Sequence, residues 1–328
     1  TRYWRDWSSD VCSSDLTNTS SIPVAVLARD LAHPDRFCGV HFLNPVAPGR
    51  IVEVVRGAVT GRGTVAIAES LVRQLGCLPL VVGDGPGFLV NRLLFSSLSE
   101  ALDMLSEGAT PRQIDDAMKA IGVVRGPVEL YDIVGIDVAL RAGHNLRAAL
   151  PARTESSMIL VRLMAAGRIG LKAGRGFYAW DQPTANAVAG VGGDEPRVPR
   201  DDPEVEEMLR AFRRGDRSFT AEEIRRRQLL VILLEATRVL DEGIVADPRD
   251  IDLALSGGGM YPSPNEGLLT WADLFGAAAI VEMLGRFAHL GPRMQPTERL
   301  LRMAATGATF LGAPRAGPPQ RSSPRNGS

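Results

Sequence analysis

The sequence predicts an α/β segment followed by an all-α segment. Three observations carry that expectation. Val- and Ile-rich runs of five or six residues alternate with short helical patterns as far as Gly87. Helical periodicity dominates from Phe88 onward. One helical pattern also occurs twice. Glu100-Ala101-x-x-x-Leu105-x-Glu107-Gly108 returns as Glu235-Ala236-x-x-x-Leu240-x-Glu242-Gly243, and Ile114-Asp115-x-Ala117 returns as Ile251-Asp252-x-Ala254. Alternating β-type runs and helices imply an open sheet. A repeated helical unit implies two copies whose apolar faces pack on each other.

Residues 1–16 stand apart. Asp6 to Leu16 back-translates in one frame to a common sequencing-adapter sequence, and the stretch has no usable period. Residues 1–16 are therefore read as an artefact and kept out of the fold. By the same reading, protein upstream of Thr17 is expected to be missing. From Thr17 the pattern is orderly. Asn18-Thr19-Ser20-Ser21 before Ile22-Pro23 reads as a helix start, with a helix over Val24 to Leu31. Phe37 to Phe42, Ile51 to Val55 and Leu78 to Val82 read as strands, with a helix from Gly63 to Leu75 that stops at Gly76. Three strands suggest the C-terminal part of a doubly wound domain, at residues 17–85.

A first helical domain follows at 86–180. It has helices over Phe88 to Ser106, Ile114 to Ile121, Glu129 to Leu150 and Ser156 to Ala166. Thr110-Pro111-Arg112-Gln113 is a capping box with Pro at the first helical position. Residues 181–217 read as a linker by composition. Residues 218–306 hold the second helical copy, and 307–328 read as a disordered tail.

The chain of 328 residues allows about two domains. Its net charge of −1 argues against nucleic acid as a partner. The 37 basic residues include only Lys119 and Lys172 as lysines, which reads as coding bias. Three cysteines without a pairing pattern suit a reducing compartment. No secretory signal and no membrane-length apolar run occur, so a soluble cytoplasmic protein without membrane insertion is expected.

Chemistry concentrates in Gly39-Val-His41-Phe-Leu-Asn44-Pro45 and Ile51-Val-Glu53-Val-Val55. A His and a carboxylate on neighbouring β-type runs can form a base and its orienter. Taken alone, each residue has a bland role. A His after a strand is more often a hydrogen-bonded core residue. Glu53 suits a solvent-facing position, Ser20 a helix cap, Asn91 a cap or surface position, and Asp84 turn chemistry. His33, His144 and His289 carry no assignment.

The ordered set changes that weighting. NTSS at 18–21, GVHFLNPV at 39–46, IVEVVRG at 51–57, GPGFLVNRLL at 85–94 and GLKAGRGFYAW at 170–180 resembles the L-3-hydroxyacyl-CoA dehydrogenase family. The duplicated helical unit makes the chain similar to the dehydrogenase part of the multifunctional fatty-acid β-oxidation complex alpha subunit. The resemblance runs from about Asn18 to about Gly307. It implies a partial Rossmann-type NAD-binding domain followed by two tandem helical C-terminal domains. It implies an oxidoreductase that converts L-3-hydroxyacyl-CoA to 3-ketoacyl-CoA with NAD. His41 matches the catalytic base and Glu53 its orienting carboxylate. Ser20 and Asn44 match cofactor contacts, and Ser20 and Asn91 match substrate contacts. No metal is implied. A thiolase beta subunit is the partner such a complex would supply.

Two departures bear on these expectations. No G-x-G-x-x-G occurs in the sequence, which fits truncation as readily as lack of a cofactor, and weak NAD binding by the chain as given is expected. The family's substrate-touching tyrosine in the second helical copy falls on Gly257 and is not carried over. Two rival readings are weighed. In one, a fragment serves only as an acyl-CoA-binding or assembly module, with His41 and Glu53 lying apart. The other is a β-hydroxyacid dehydrogenase of the lysine-dependent type, against which the positions of Lys119 and Lys172 speak.

Overall fold

The computed structural model describes residues 14–20, 22–43, 49–150, 157–181, 198–257 and 267–312. Four strands form one mixed sheet in the order β1-β2-β3-β4: β1 (Asp15–Thr17), β2 (Phe37–Phe42), β3 (Ile51–Arg56) and β4 (Leu78–Gly83). β1 runs parallel to β2, β2 antiparallel to β3, and β3 parallel to β4. α1 (Val24–Ala28) follows β1, and α2 (Arg62–Gln74) links β3 to β4.

Residue parity explains the two faces of the sheet. Cys38, Val40, Val52 and Val54 turn one way and pack with Val65, Ala68 and Val72 of α2. Ile51, Val55, Leu80 and Val82 turn the other way, into a core shared with the helices. Because successive strand side chains alternate, His41 and Glu53 share that second face.

The helices are α3 (Val90–Glu107), α4 (Pro111–Lys119), α5 (Pro127–Val134), α6 (Ile136–Ala149), α7 (Met158–Ala165), α8 (Pro203–Arg210), α9 (Ala221–Asp241), α10 (Arg249–Gly257), α11 (Leu268–Phe275), α12 (Ala277–Gly285) and α13 (Glu298–Thr306). α3 and α9 pack side by side and exchange ion pairs reciprocally. Arg92 of α3 donates to Glu235 and Glu242, while Arg227 of α9 donates to Glu100 and Glu107. Arg92 and Arg227, Glu100 and Glu235, and Glu107 and Glu242 share one sequence offset.

Buried aspartates repeat the same symmetry. Asp115 accepts from the amides of Val128 and Glu129 at 2.8 Å each, and Asp252 accepts from those of Leu269 and Thr270. Each carboxylate caps the helix after the next turn. Gly126 and Gly267 make room for them, since an added Cβ would sit 2.2 Å and 2.1 Å from a carboxylate oxygen. Asp132 accepts from the amides of Phe177 and Tyr178, and Asp273 from those of Phe310 and Leu311.

Burial raises Asp115 to about 7, against the pull of the Tyr178 hydroxyl and the two amides. A carboxyl raised in the folded state binds its proton more tightly there than in the unfolded chain. Its contribution therefore favours folding at low pH and is lost as pH rises toward about 7. Asp115→Asn is expected to flatten that part of the stability–pH curve, read from denaturant midpoints at several pH values.

Several sequence expectations need correction. Asp15 and Leu16, assigned to the artefact at 1–16, pair with Phe37 and Cys38 as an edge strand, so the sheet has four strands rather than three. The helix expected over Val24 to Leu31 ends at Ala28. Glu129 to Leu150 is not one helix: Gly135, at φ 95°, breaks it between α5 and α6. The supposed linker at 181–217 contains α8, which buries Val205 and Leu209 and caps itself with Asp202. The supposed tail at 307–328 begins with an anchored turn in which Phe310 is buried. Residues 1–13, 182–197 and 313–328 lie outside the described residues.

Candidate active site at the sheet–helix junction

The site begins with strand register. His41 and Glu53 are direct partners across the antiparallel β2–β3 pair. Side chains so placed start about 5 Å apart at Cβ on one face. The His41 Nδ1–H donates to Glu53 Oε2 at 2.6 Å. Both are buried, at 5% and 0% exposure. An ionised carboxylate can only accept, so opposite one Nδ1 is the donor of this bond.

Glu53 has two further partners. Its Oε1 accepts from the amides of Leu89 at 2.9 Å and Val90 at 3.0 Å. These are orphan amides at the start of α3, where the helix dipole also favours an anion. The preceding turn aims them. Gly87 has φ +72° and Phe88 φ +52°, the sole non-glycine with positive φ among the described residues. A left-handed backbone at Phe88 costs about 1–3 kcal/mol, which the surroundings must hold in place. The Phe88 ring then lies 5.6 Å from the His41 ring and is itself fully buried. A buried imidazole thus faces a carboxylate that two backbone amides also hold.

The rim of the site comes from the chain after β1. Asn18 Oδ1 accepts from the amide of Phe42, next to His41, at 3.0 Å. Asn91 Nδ2 donates to the Ser20 carbonyl at 3.0 Å. Ser20 is exposed there. The structure therefore joins His41 to Glu53 and Asn91 to Ser20. Asn91, matched to a substrate contact by the family resemblance, uses its amide nitrogen to hold the rim. Asn44, matched to a cofactor contact, lies outside the described residues, as do 258–266 of the departing turn that follows Gly257. The expectation that goes with the non-enzymatic reading, a His41 ring beyond reach of Glu53, is not met.

Sequence reasoning missed three contributors. Asn18 was passed over in favour of Ser20. Asp84 was read as turn chemistry, yet its carboxylate accepts from the amides of Val24 and Ala25 at 2.9 Å and 2.7 Å. The Leu89 and Val90 amides carry no side-chain signature. The available signal was Gly85-Pro-Gly87 ahead of a helix with no capping side chain of its own.

The carboxyl ends of parallel β1 and β2 meet at this rim, the edge where α/β sheets bind ligands. Exposed Ser20 on this rim and buried His41 on the sheet are polar groups that suit the nicotinamide end of NAD. No metal-ligand cluster occurs among the described residues, and no single described helix is long and apolar enough to cross a membrane.

Residues 15–85 match the NAD-binding domain of 3-hydroxyacyl-CoA dehydrogenase, and residues 87–180 match its C-terminal domain. The structure resembles a 3-hydroxybutyryl-CoA dehydrogenase from Escherichia coli at a TM-score of 0.71 and 25% identity, covering 89% of this chain and 75% of that one. It also resembles the dehydrogenase part of multifunctional enzyme 1 from C. elegans at a TM-score of 0.60 and 24% identity, covering 88% of this chain and 64% of that one. The second likeness concerns the fold alone.

Proposed function

The chain belongs to the NAD-dependent 3-hydroxyacyl-CoA dehydrogenase family, and from that premise we propose that it oxidises an L-3-hydroxyacyl-CoA to the 3-ketoacyl-CoA, as a step of fatty-acid β-oxidation. The observation that carries the reading is the buried 2.6 Å contact between His41 and Glu53.

His41 Nε2 takes the proton of the substrate's C3 hydroxyl as the C3–H bond breaks. NAD, when bound, supplies the acceptor for the hydride that leaves C3. Glu53 holds the ring in the tautomer with Nε2 free and stabilises the imidazolium that forms. Its own charge is steadied by the Leu89 and Val90 amides. In the reverse direction His41 returns the proton to the ketone oxygen. Ser20 lies on the rim, where it can bond the hydroxyl or the nicotinamide, and Asn44 is assigned to the cofactor side.

We also assign the helices to two tandem copies of one unit. The reciprocal Arg92/Arg227 pairing and the two sets of aspartate caps support the duplication. A fold joined by a pseudo-two-fold would make such exchanged contacts, as an isologous dimer does.

The assay is NADH formation by the purified chain from L- and D-3-hydroxyacyl-CoA. Turnover of the L isomer alone is expected. No turnover at any NAD concentration, or equal use of both isomers, would refute the reading.

A further inference from the structure

We propose that Asp84 is a positioning residue for the His41 site: from the end of β4, its carboxylate fixes α1 and with it the Ser20 rim. The proposal rests on the reading of His41 and Glu53 as the proton-transfer pair.

α1 has five residues and no side-chain cap of its own, since its N-cap position is Pro23. A helix that short does not hold itself. The sequence suggests a local Ser or Thr cap, but the cap arrives from 60 residues away. Asp84 Oδ1 takes the Val24 amide and Oδ2 the Ala25 amide. A second anchor is steric. Val24 is fully buried against two glycines, where an added Cβ would come 3.0 Å from Val24 at Gly39 and 3.2 Å from it at Gly57. Its side chain thus seats α1 on the sheet while Asp84 sets the helix's direction.

The segment ahead of α1 is tied at two more points, both inside the site. Asn18 meets the amide next to His41, and Ser20 meets Asn91 on α3. Asp84 therefore closes a three-point hold on the rim. It is itself well anchored. Its amide donates to the Arg56 carbonyl at 3.1 Å, and the Gly83 amide donates to the Ile244 carbonyl at 2.7 Å. The Phe88 amide returns to Gly85 at 3.1 Å. One connector, Gly83 to Phe88, thus carries the cap for the rim and the turn that presents the amides to Glu53. Losing the cap removes one of the three holds on the rim and leaves the His41–Glu53 bond in place. A displacement of about 1 Å at a reacting centre costs on the order of 10²-fold in rate.

The test compares Asp84→Ala with Asp84→Asn in the full chain. Hydrogen exchange is followed across residues 18–28, with α9 amides as a fold control, beside kcat and KM for the acyl-CoA. Asp84→Ala is expected to speed exchange at Val24 and Ala25 by about 10-fold or more, the loss of one cap. It should lower kcat roughly 10- to 100-fold and leave KM nearly unchanged. Asp84→Asn keeps a capping oxygen and should recover most of both. Unchanged exchange would overturn the proposal, as would faster exchange with wild-type kcat. If Asp84→Ala unfolds, Asp84→Ser carries the same comparison. If the wild-type chain shows no turnover while exchange responds as expected, the proton-transfer reading fails and Asp84 remains only a clamp on the rim.

Discussion

His41→Gln lowers kcat for L-3-hydroxyacyl-CoA oxidation by about 10²- to 10⁴-fold, the usual loss when a positioned base is removed. Glutamine can still donate to Glu53 and fill much of the space, but it has no nitrogen basic enough to take the hydroxyl proton. KM for the acyl-CoA should change little, because the ring acts mainly in the transition state. The fold should survive, since Glu53 keeps the Leu89 and Val90 amides. Glu53→Gln should cost a similar amount for a different reason. Its amide nitrogen would donate to Nδ1, driving the ring proton onto Nε2 and removing the lone pair the reaction needs. Steady-state kinetics with saturating acyl-CoA, on variants whose melting curves match wild type, check both.

Arg227→Met destabilises the protein by about 3 kcal/mol, at the low end for breaking a buried ion pair. Arg227 is wholly buried and holds Glu100 and Glu107. Without it Glu100, also buried, keeps Arg293 as its one cation among the described residues, while Glu107 keeps Arg217. Those remaining partners set the low end. Burial already raises the Glu100 pKa despite Arg227 and Arg293, and removal of Arg227 raises it further. The sign follows: the variant's deficit should shrink as pH falls through the raised Glu100 pKa, when the carboxyl is neutral in the folded state. Adding Glu100→Gln should restore part of the loss. Denaturant midpoints at two pH values for the single and double variants measure this.

Much of the fold was legible because the relevant signals are local. Alternation in IVEVVRG marks a strand, Thr110-Pro111-Arg112-Gln113 marks a helix start and forms the capping box in full, and the repeated Glu-Ala-x-x-x-Leu-x-Glu-Gly marks a helical unit. The repeat of that motif is visible in the sequence, but the contacts made by its two occurrences are not. The reciprocity of Arg92 and Arg227 needs α3 and α9 to lie side by side, which no local pattern states. The linker reading failed at α8 because it rests on composition, and Pro203 adds to a Pro-rich count without breaking the helix. After Asp202 it is a first-turn proline, where the missing amide costs nothing. At the site, His41 and Glu53 were found by motif and their pairing by register. Asp84 and Asn18 were missed because their partners lie 60 and 24 residues away. Hydrogen bonds of that range leave no periodicity behind.

The account's central claim is that Glu53 acts through His41, as one proton-transfer unit. The measurement that tests it most directly is kcat of the double variant His41→Gln/Glu53→Gln beside the two singles. A unit gives non-additive losses, so the double variant should be about as slow as His41→Gln alone. Losses that multiply across the two sites, or a His41→Gln variant as fast as wild type, would contradict it.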